Sequence, residues 1–126
     1  MKYFLLSILL MISVQSIQAQ SGEKTFNEIA GCFLANDYKA LGNHFAGNLD
    51  LIIENNDGTY GKQQAIMMLK EFFGQNKITH FKIKHNGSSN ERTYYAVCDM
   101  SSSRKSWSLY ILLNNDSKII QLQIEE

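Results

Sequence analysis

The chain contains no proline, only two cysteines and one tryptophan among its 126 residues. Two cysteines are too few for a disulfide-built scaffold or for a zinc site with four cysteine ligands. Basic and acidic residues both number 12, so the formal net charge is zero, and with no block of basic residues this argues against nucleic-acid binding, which rests on neutralising phosphates. What is left is an ordinary globular composition, 44% hydrophobic, which predicts one folded domain without nucleic acid as a partner.

The first residues differ in character from the rest of the chain. Met1 and Lys2 precede an apolar run, residues 3–14, that is shorter than the roughly 20 residues of a membrane span. A short polar stretch then ends at Ala19. This pattern predicts a signal peptide over residues 1–19, cleavage between Ala19 and Gln20, and one exported domain, periplasmic or secreted, over residues 20–126. The alternative is a first helix of the fold or a retained anchor.

Hydrophobic spacing predicts three helices. The first starts at a capping box formed by Thr25 and Glu28, and the second is capped by Asn36-Asp37 and extends through Phe45. The third covers residues 63–75. The apolar faces comprise Phe26, Ile29, Ala30, Phe33 and Leu34 in the first helix, Tyr38, Leu41, Phe45 and Ala46 in the second, and Ala65, Ile66, Leu69, Phe72 and Phe73 in the third.

Alternating patterns predict the strands. The first covers residues 49–54, is followed by a turn at residues 55–58, and leads to a short strand at Thr59-Tyr60. Four more strands are predicted at 79–85, 92–100, 105–113 and 119–125, with turns at 86–90 and 114–117. This order indicates an α+β fold in which a curved antiparallel sheet is covered by helices on one face.

The order of these elements resembles the nuclear transport factor 2-like superfamily, with the segment 45–48 before a strand and the segment 60–65 opening a helix. More narrowly, residues 60–65, 81–87 and 122–125 are similar to a small uncharacterised family of exported Bacteroidetes proteins. The resemblance implies a cystatin-like, ketosteroid isomerase-like cone, with the sheet wrapped over three N-terminal helices, often as a homodimer. It implies no activity, because this fold hosts both enzymes and non-catalytic domains.

Ketosteroid isomerase chemistry needs an aspartate base and an oxyanion site made of a tyrosine and a protonated aspartate. Aligned on this chain, the tyrosine position falls on Ile29, the base on Ile53 and the second acid on Leu109. A hydrocarbon cannot accept a proton, so the isomerase mechanism is not carried over. A slip of one residue would place Ile52 or Glu54 at the base position.

Other polar residues are candidates for chemistry in the cone. His85 shares a strand face with Phe81 and Ile83, and a partly buried histidine can act as acid or base, unless it is only a satisfied histidine at a strand end. Tyr95 and Asp99 share a face of the next strand. Asp99 is a candidate base if that face points into the cone, and a solvated strand end if it does not.

Tyr38, His44 and Tyr60 are expected near the mouth of the cone, so the predicted ligand-binding residues are these three with His85 and Tyr95, unless they only pack. No histidine or cysteine spacing typical of a metal site occurs, and His80 and His85 fall on opposite strand faces, so neither a metal nor a cofactor is predicted. Cys32 and Cys98 are expected to be free thiols, with a disulfide between them as the alternative.

Two predicted strands are apolar on both faces. Trp107 and Leu109 alternate with Tyr110 and Leu112, and the preceding strand is similar. Helices can cover only one side of the sheet, so a second copy of the chain is the simplest cover for the other. The pattern predicts a homodimer with Trp107 or Tyr110 near the centre of its interface, against the alternative of a monomer with an exposed patch.

These observations favour a non-catalytic exported domain that binds a small apolar ligand or peptide in the cone and dimerises through the sheet. The alternative is an uncharacterised enzyme of the isomerase or dehydratase type using His85, Asp99 and a tyrosine. A third hypothesis makes the dimer face the whole of the function.

Overall fold

The computed structural model describes residues 21–126 apart from Glu91. The predicted signal peptide, residues 1–19, lies outside these residues. The helices are α1 (Ser21–Leu34), α2 (Tyr38–Gly42) and α3 (Lys62–Gln75). The strands are β1 (Phe45–Ile53), β2 (Asn56–Gly61), β3 (His80–Asn90), β4 (Thr93–Ser101), β5 (Ser106–Leu113) and β6 (Ile119–Glu125). Within this part of the chain, no helix has the length and apolar character needed to cross a membrane.

The six strands form a single curved, unclosed sheet with the order β2-β1-β6-β5-β4-β3. Neighbouring strands are antiparallel except for β1 and β6, which are parallel. Helices α1 and α3 pack across one face of this sheet, and α2 packs on both of them. The predicted α+β class with a curved sheet over three helices is therefore confirmed, and the parallel pair is the feature that the sequence did not predict.

The face of the sheet under the helices, called the helix-facing side, carries the core. Burial alternates along β5, where Trp107, Leu109 and Ile111 are buried, because successive side chains of a strand point to opposite faces. Aromatic rings fill the space above the sheet: the Phe33 ring lies 5.6 Å from that of Phe73 and 5.2 Å from that of Phe81. The opposite face, called the open face, has no helix of the described chain on it.

Two helix predictions are wrong in their bounds. Helix α1 already includes Ser21, so Thr25 lies inside it and does not cap it, and Leu34 is 46% exposed rather than part of the buried face. Helix α2 ends at Gly42, and Phe45 begins β1 instead of continuing the helix. The backbone N–H of Ile119 donates to the carbonyl of His44 at 2.7 Å, which draws this segment into pairing with β6.

Two turn predictions are also wrong. The β1–β2 turn consists of Glu54 and Asn55, since Ile53 pairs with Asn56, so β2 begins inside the segment predicted as a turn. Residues 86–90 belong to β3 and pair with β4. Asn, Gly and Ser are residue types that favour turns locally, but hydrogen bonding to the neighbouring strand overrides that preference.

A bulge in β3 determines which face its second half presents. Ile83 pairs with Cys98 and His85 pairs with Val97, so Lys84 is an extra residue on the β3 side. One inserted residue reverses the alternation beyond it. Ile83 therefore packs against the core, whereas His85 lies on the open face.

Candidate functional site

The open face presents a band of apolar and aromatic side chains across the middle of the sheet. The pairing registers place Ile52, Gln123, Tyr110, Val97 and His85 in one row across five strands. Tyr95 and Leu112 form a neighbouring pair. The apolar and aromatic members, Ile52, Tyr95, Val97, Tyr110 and Leu112, are all half-buried. A single sheet thus leaves an apolar strip in contact with water.

His85 and Tyr95, both predicted ligand-binding residues, are brought together within this band. The Tyr95 hydroxyl and His85 Nε2 form a hydrogen bond, and the Tyr95 ring lies parallel to that of Tyr110 with the centroids 6.4 Å apart. The prediction that His85 shares a face with Phe81 and Ile83 is wrong, because the bulge at Lys84 turns it to the other side. The pair can make contacts with a partner on the open face but not inside the cone.

Asp99 shares its face with Tyr95 and Val97, as predicted, and that face is the open one. Its carboxylate is exposed and lies 3.8 Å from the ammonium of Lys84. The sequence allowed Asp99 to be either a base inside the cone or a solvated residue at a strand end, and this position fits the second. The two candidate catalytic groups, His85 and Asp99, are therefore both outside the cone.

Tyr38, His44 and Tyr60 lie apart from that pair. Tyr38 starts α2, with the Lys70 ammonium 5.8 Å from the centre of its ring, and Tyr60 packs against the core opposite Leu49. His44 Nε2 lies 3.9 Å from a carboxylate oxygen of Glu28. Burial lowers the pKa of His44, an effect larger than the opposing one of Glu28. The five predicted ligand residues thus divide between the two sides of the sheet.

The positions aligned with the isomerase machinery are buried beneath the helices. Ile29 is 0%, Ile53 7% and Leu109 1% exposed. Of the two residues reached by a slip of the alignment, Ile52 lies on the open face and Glu54 lies in the β1–β2 turn. Hydrocarbon therefore occupies the helix-facing side at these three places.

Trp107 faces the helices and is only 2% exposed. Its ring meets the ring of Phe72 edge-on at 5.3 Å, and its indole Nε1 donates a hydrogen bond to Glu54 Oε1 at 3.2 Å. Helix α3 covers the side of β5 on which Trp107 lies, so this side chain is away from the open face. Tyr110, the other residue named for the predicted dimer interface, does lie on the open face.

A cleft of about 250 Å³ opens beside the Trp107–Glu54 contact, and we call it the mouth cleft. It lies between the β1–β2 turn, the C-terminal half of α3 and the segment between β4 and β5. Ile53, Met68 and Phe72 form its apolar part, and Glu54, Glu71 and Lys105 line its rim, with the amides Asn55, Asn56, Gln75 and Asn76. Sequence reasoning missed Glu71 and Lys105, since three separate segments meet there without a common motif.

Both cysteines have free thiols, as the sequence predicted. Cys98 is buried on the helix-facing side, and this burial raises the pKa of its thiol to about 12. Cys32 is half-buried on α1, where burial, Asp37 and Glu28 all raise the pKa of its thiol. Among residues 21–126 without Glu91, no group of three or more histidine, cysteine or acidic side chains is placed to hold a metal ion.

Comparison with known proteins identifies a family and a fold. The profile of a domain of unknown function, DUF4783, matches residues 26–125. A DUF4783 family protein from Bacteroides uniformis superposes with a TM-score of 0.74 and 19% identity, covering 79% of this chain and 94% of that one. An NTF2-like protein of unknown function from Cytophaga hutchinsonii gives 0.61 and 10%, covering 87% and 92%. A protein with a cystatin-like fold from Nostoc punctiforme gives 0.68 and 8%, covering 88% and 78%. No curated protein matches the chain. At these identities the structural likeness shows a common fold alone.

Proposed function

We propose the following function for this chain, which belongs to the DUF4783 family and has the nuclear transport factor 2-like fold. The protein is an exported, non-catalytic binding domain that works as a homodimer formed through the open face. Export rests on the signal-like pattern of residues 1–19, and binding is assigned to the concave end of the cone.

The observation that carries the homodimer is the apolar band on the open face. Its side chains on β4 and β5 lie side by side, Ile52 on β1 is separated from them by Gln123 of β6, and no helix of the described chain covers them. Contiguous exposed apolar surface on a small domain marks an interaction site. Tyr110 lies inside the band, and tyrosine is a residue type that anchors protein interfaces.

The distribution of charge on the open face favours a second copy of this chain as the partner. Lys82 and Lys84 lie on β3 at one edge of the sheet, where they outnumber Asp99 of the neighbouring β4, and Asp50 and Asp57 lie on β1 and β2 at the other. A two-fold axis running along the strands, between two stacked sheets, places β3 of one protomer over β1 and β2 of its partner. The basic edge then meets an acidic edge twice, once at each side of the apolar band.

The mouth cleft supports the ligand-binding part of the proposal. Core side chains such as Phe33, Phe73 and Leu109 fill the helix-facing side, and the mouth cleft at the end of the cone is a concavity with room for a small ligand or the end of a peptide. The alternative of an isomerase or dehydratase has less support, because His85 and Asp99 lie on the open face, away from this cleft.

Light scattering coupled to size-exclusion chromatography tests the homodimer. The mature chain should elute as a dimer at micromolar concentration, and Tyr110→Glu should elute as a monomer, because a buried unpaired carboxylate opposes association. Met67→Glu is the matched control, since Met67 is 58% exposed on α3 and away from the open face. Circular dichroism should show all three proteins folded. A wild-type chain that is monomeric under these conditions would refute the proposal.

A further inference from the structure

We infer that the mouth cleft binds a small organic cation, a primary ammonium group carried on a short hydrocarbon chain. The inference rests on the proposed function, because it names the ligand class for the same cleft. A volume of about 250 Å³ is below the range of drug-sized ligand pockets and suits a ligand of a few heavy atoms. Ile53, Met68 and Phe72 provide the surface against which a hydrocarbon chain can be buried.

The charged groups around the cleft have an excess of negative charge. Glu54 and Glu71 line it together with Lys105. The Lys105 ammonium lies 3.0 Å from a carboxylate oxygen of Glu126 and is already paired. Among the residues that line the cleft, two carboxylates therefore stand against one ammonium. In the described chain the Glu71 carboxylate forms no hydrogen bond or ion pair, so it is available to a cation.

The end of α3 adds to this negative potential. The helix stops at Gln75, and both Gln75 and Asn76 line the cleft. The last turn of α3 contains no basic residue. The C-terminal end of a helix carries a partial negative charge, which a cation near the last turn stabilises. The end of the helix and the carboxylates thus both favour a positively charged ligand.

Glu54 is held in place by contacts that do not use its full capacity for hydrogen bonds. Its backbone has φ of 54°, a left-handed value uncommon for a residue other than glycine, asparagine or aspartate. Its N–H donates to the carbonyl of Ile124 at 2.8 Å, and its Oε1 accepts from Trp107 Nε1. A two-residue hairpin turn favours a positive φ, so the turn between β1 and β2 accounts for this backbone and sets the carboxylate at the edge of the cleft. The remaining lone pairs of Glu54 can accept from an ammonium group.

The indole N–H of Trp107 provides a specific reporter, because the chain has one tryptophan and this N–H contacts Glu54. The ¹⁵N-labelled mature protein is titrated with n-pentylammonium chloride, and separately with 1-pentanol and sodium pentanoate. We expect the ammonium to bind saturably, seen as a shift of the indole resonance. The alcohol should bind with an affinity at least about three-fold lower, and the carboxylate should cause no shift.

Glu71→Gln should weaken pentylammonium binding by about three-fold or more, because it removes one carboxylate and keeps the shape of the side chain. Glu23→Gln is the matched control, as an exposed glutamate on α1 that does not line the cleft. Equal affinity for alcohol and ammonium, or wild-type affinity in Glu71→Gln, would overturn the inference and leave the cleft as a ligand site. Absence of a shift with all three probes would overturn both the inference and the ligand-binding part of the proposed function. The light-scattering result is independent of either outcome.

Discussion

The two thiols of this protein have contrasting surroundings that control their chemistry. Cys98 is 0% exposed between the sheet and the helices, whereas Cys32 is half-buried on α1. The thiolate is the reactive form of cysteine, and burial in apolar surroundings disfavours it. Because the pKa of Cys98 is raised to about 12, its thiol stays protonated at pH 8 as long as the protein is folded.

At pH 8, an aromatic disulfide reagent should therefore modify Cys32 at least about ten times faster than Cys98, which must wait for the structure to open. Mass spectrometry after timed quenching identifies the modified residue. Cys32→Ala, in which Cys98 is the one remaining cysteine, should react at the slow rate. In urea, the two cysteines of the wild-type protein should be modified at similar rates. Rapid modification of Cys98 in the folded protein would contradict its burial.

Between elements, one side chain ties the helical layer to the sheet. Asn36, in the turn after α1, has φ of 53°. Its side-chain oxygen accepts from the N–H of Ile78 at 2.9 Å, and its amide nitrogen donates to the carbonyl of Ile78 at 3.1 Å. This pair of bonds fixes the segment that leads into β3 against the turn between α1 and α2.

Asn36→Gly keeps the left-handed backbone accessible and removes both bonds, so we expect the free energy of unfolding to fall by about 1–3 kcal/mol. Asn36→Ala should cost about 1 kcal/mol more, because alanine is strained at positive φ. Urea unfolding followed by Trp107 fluorescence measures both. Asn43→Ala, at an exposed position with ordinary helical angles, is the control. A stability of Asn36→Gly within about 0.5 kcal/mol of wild type would contradict this role.

The sequence predicted best those helices and strands in which the spacing of the apolar residues equals the spacing of the buried positions. The predicted start of α3 is within one residue of the observed one, and β5 shows the expected alternation, as does β6 from Gln121 onward. Residues 86–90 and the side on which His85 lies were missed, because strand pairing and a bulge depend on the partner strand and leave no local period. The mouth cleft was missed for a related reason, since Glu54, Glu71 and Lys105 come from three distant segments.

At the scale of the whole molecule, the charges of the open face determine which orientation of two protomers is favourable. With the two-fold axis along the strands, Lys84 on β3 of one protomer lies toward Asp57 on β2 of the other, because both lie next to the row that joins Ile52 to His85. Other orientations stack like charges at the edges, which costs free energy. The proposed dimer therefore predicts a defined pairing of edges as well as a defined face.

Charge reversal tests that pairing. Lys84→Glu alone and Asp57→Lys alone should each raise the dimer dissociation constant about five-fold, because each creates two like-charge contacts. The double variant should return to within about two-fold of wild type. Sedimentation equilibrium measures the constants, with Lys39→Glu on α2 as a control for net charge. Additive weakening in the double variant would contradict the orientation while leaving the homodimer intact.

The position of β6 has a consequence for how this chain is made. β6 lies between β1 and β5, so the β1–β2 hairpin and the β3–β5 meander meet only through this strand, the last of the six in the sequence. A ribosome or a translocation channel releases the chain from its N-terminal end. The two parts of the sheet therefore cannot join until residues 119–125 have emerged. Until then, a chain still inside the ribosome or the channel is incompletely folded, so chaperones can bind it and the channel can translocate it. The strand order thus delays complete folding until the end of the domain has left the tunnel or crossed the membrane.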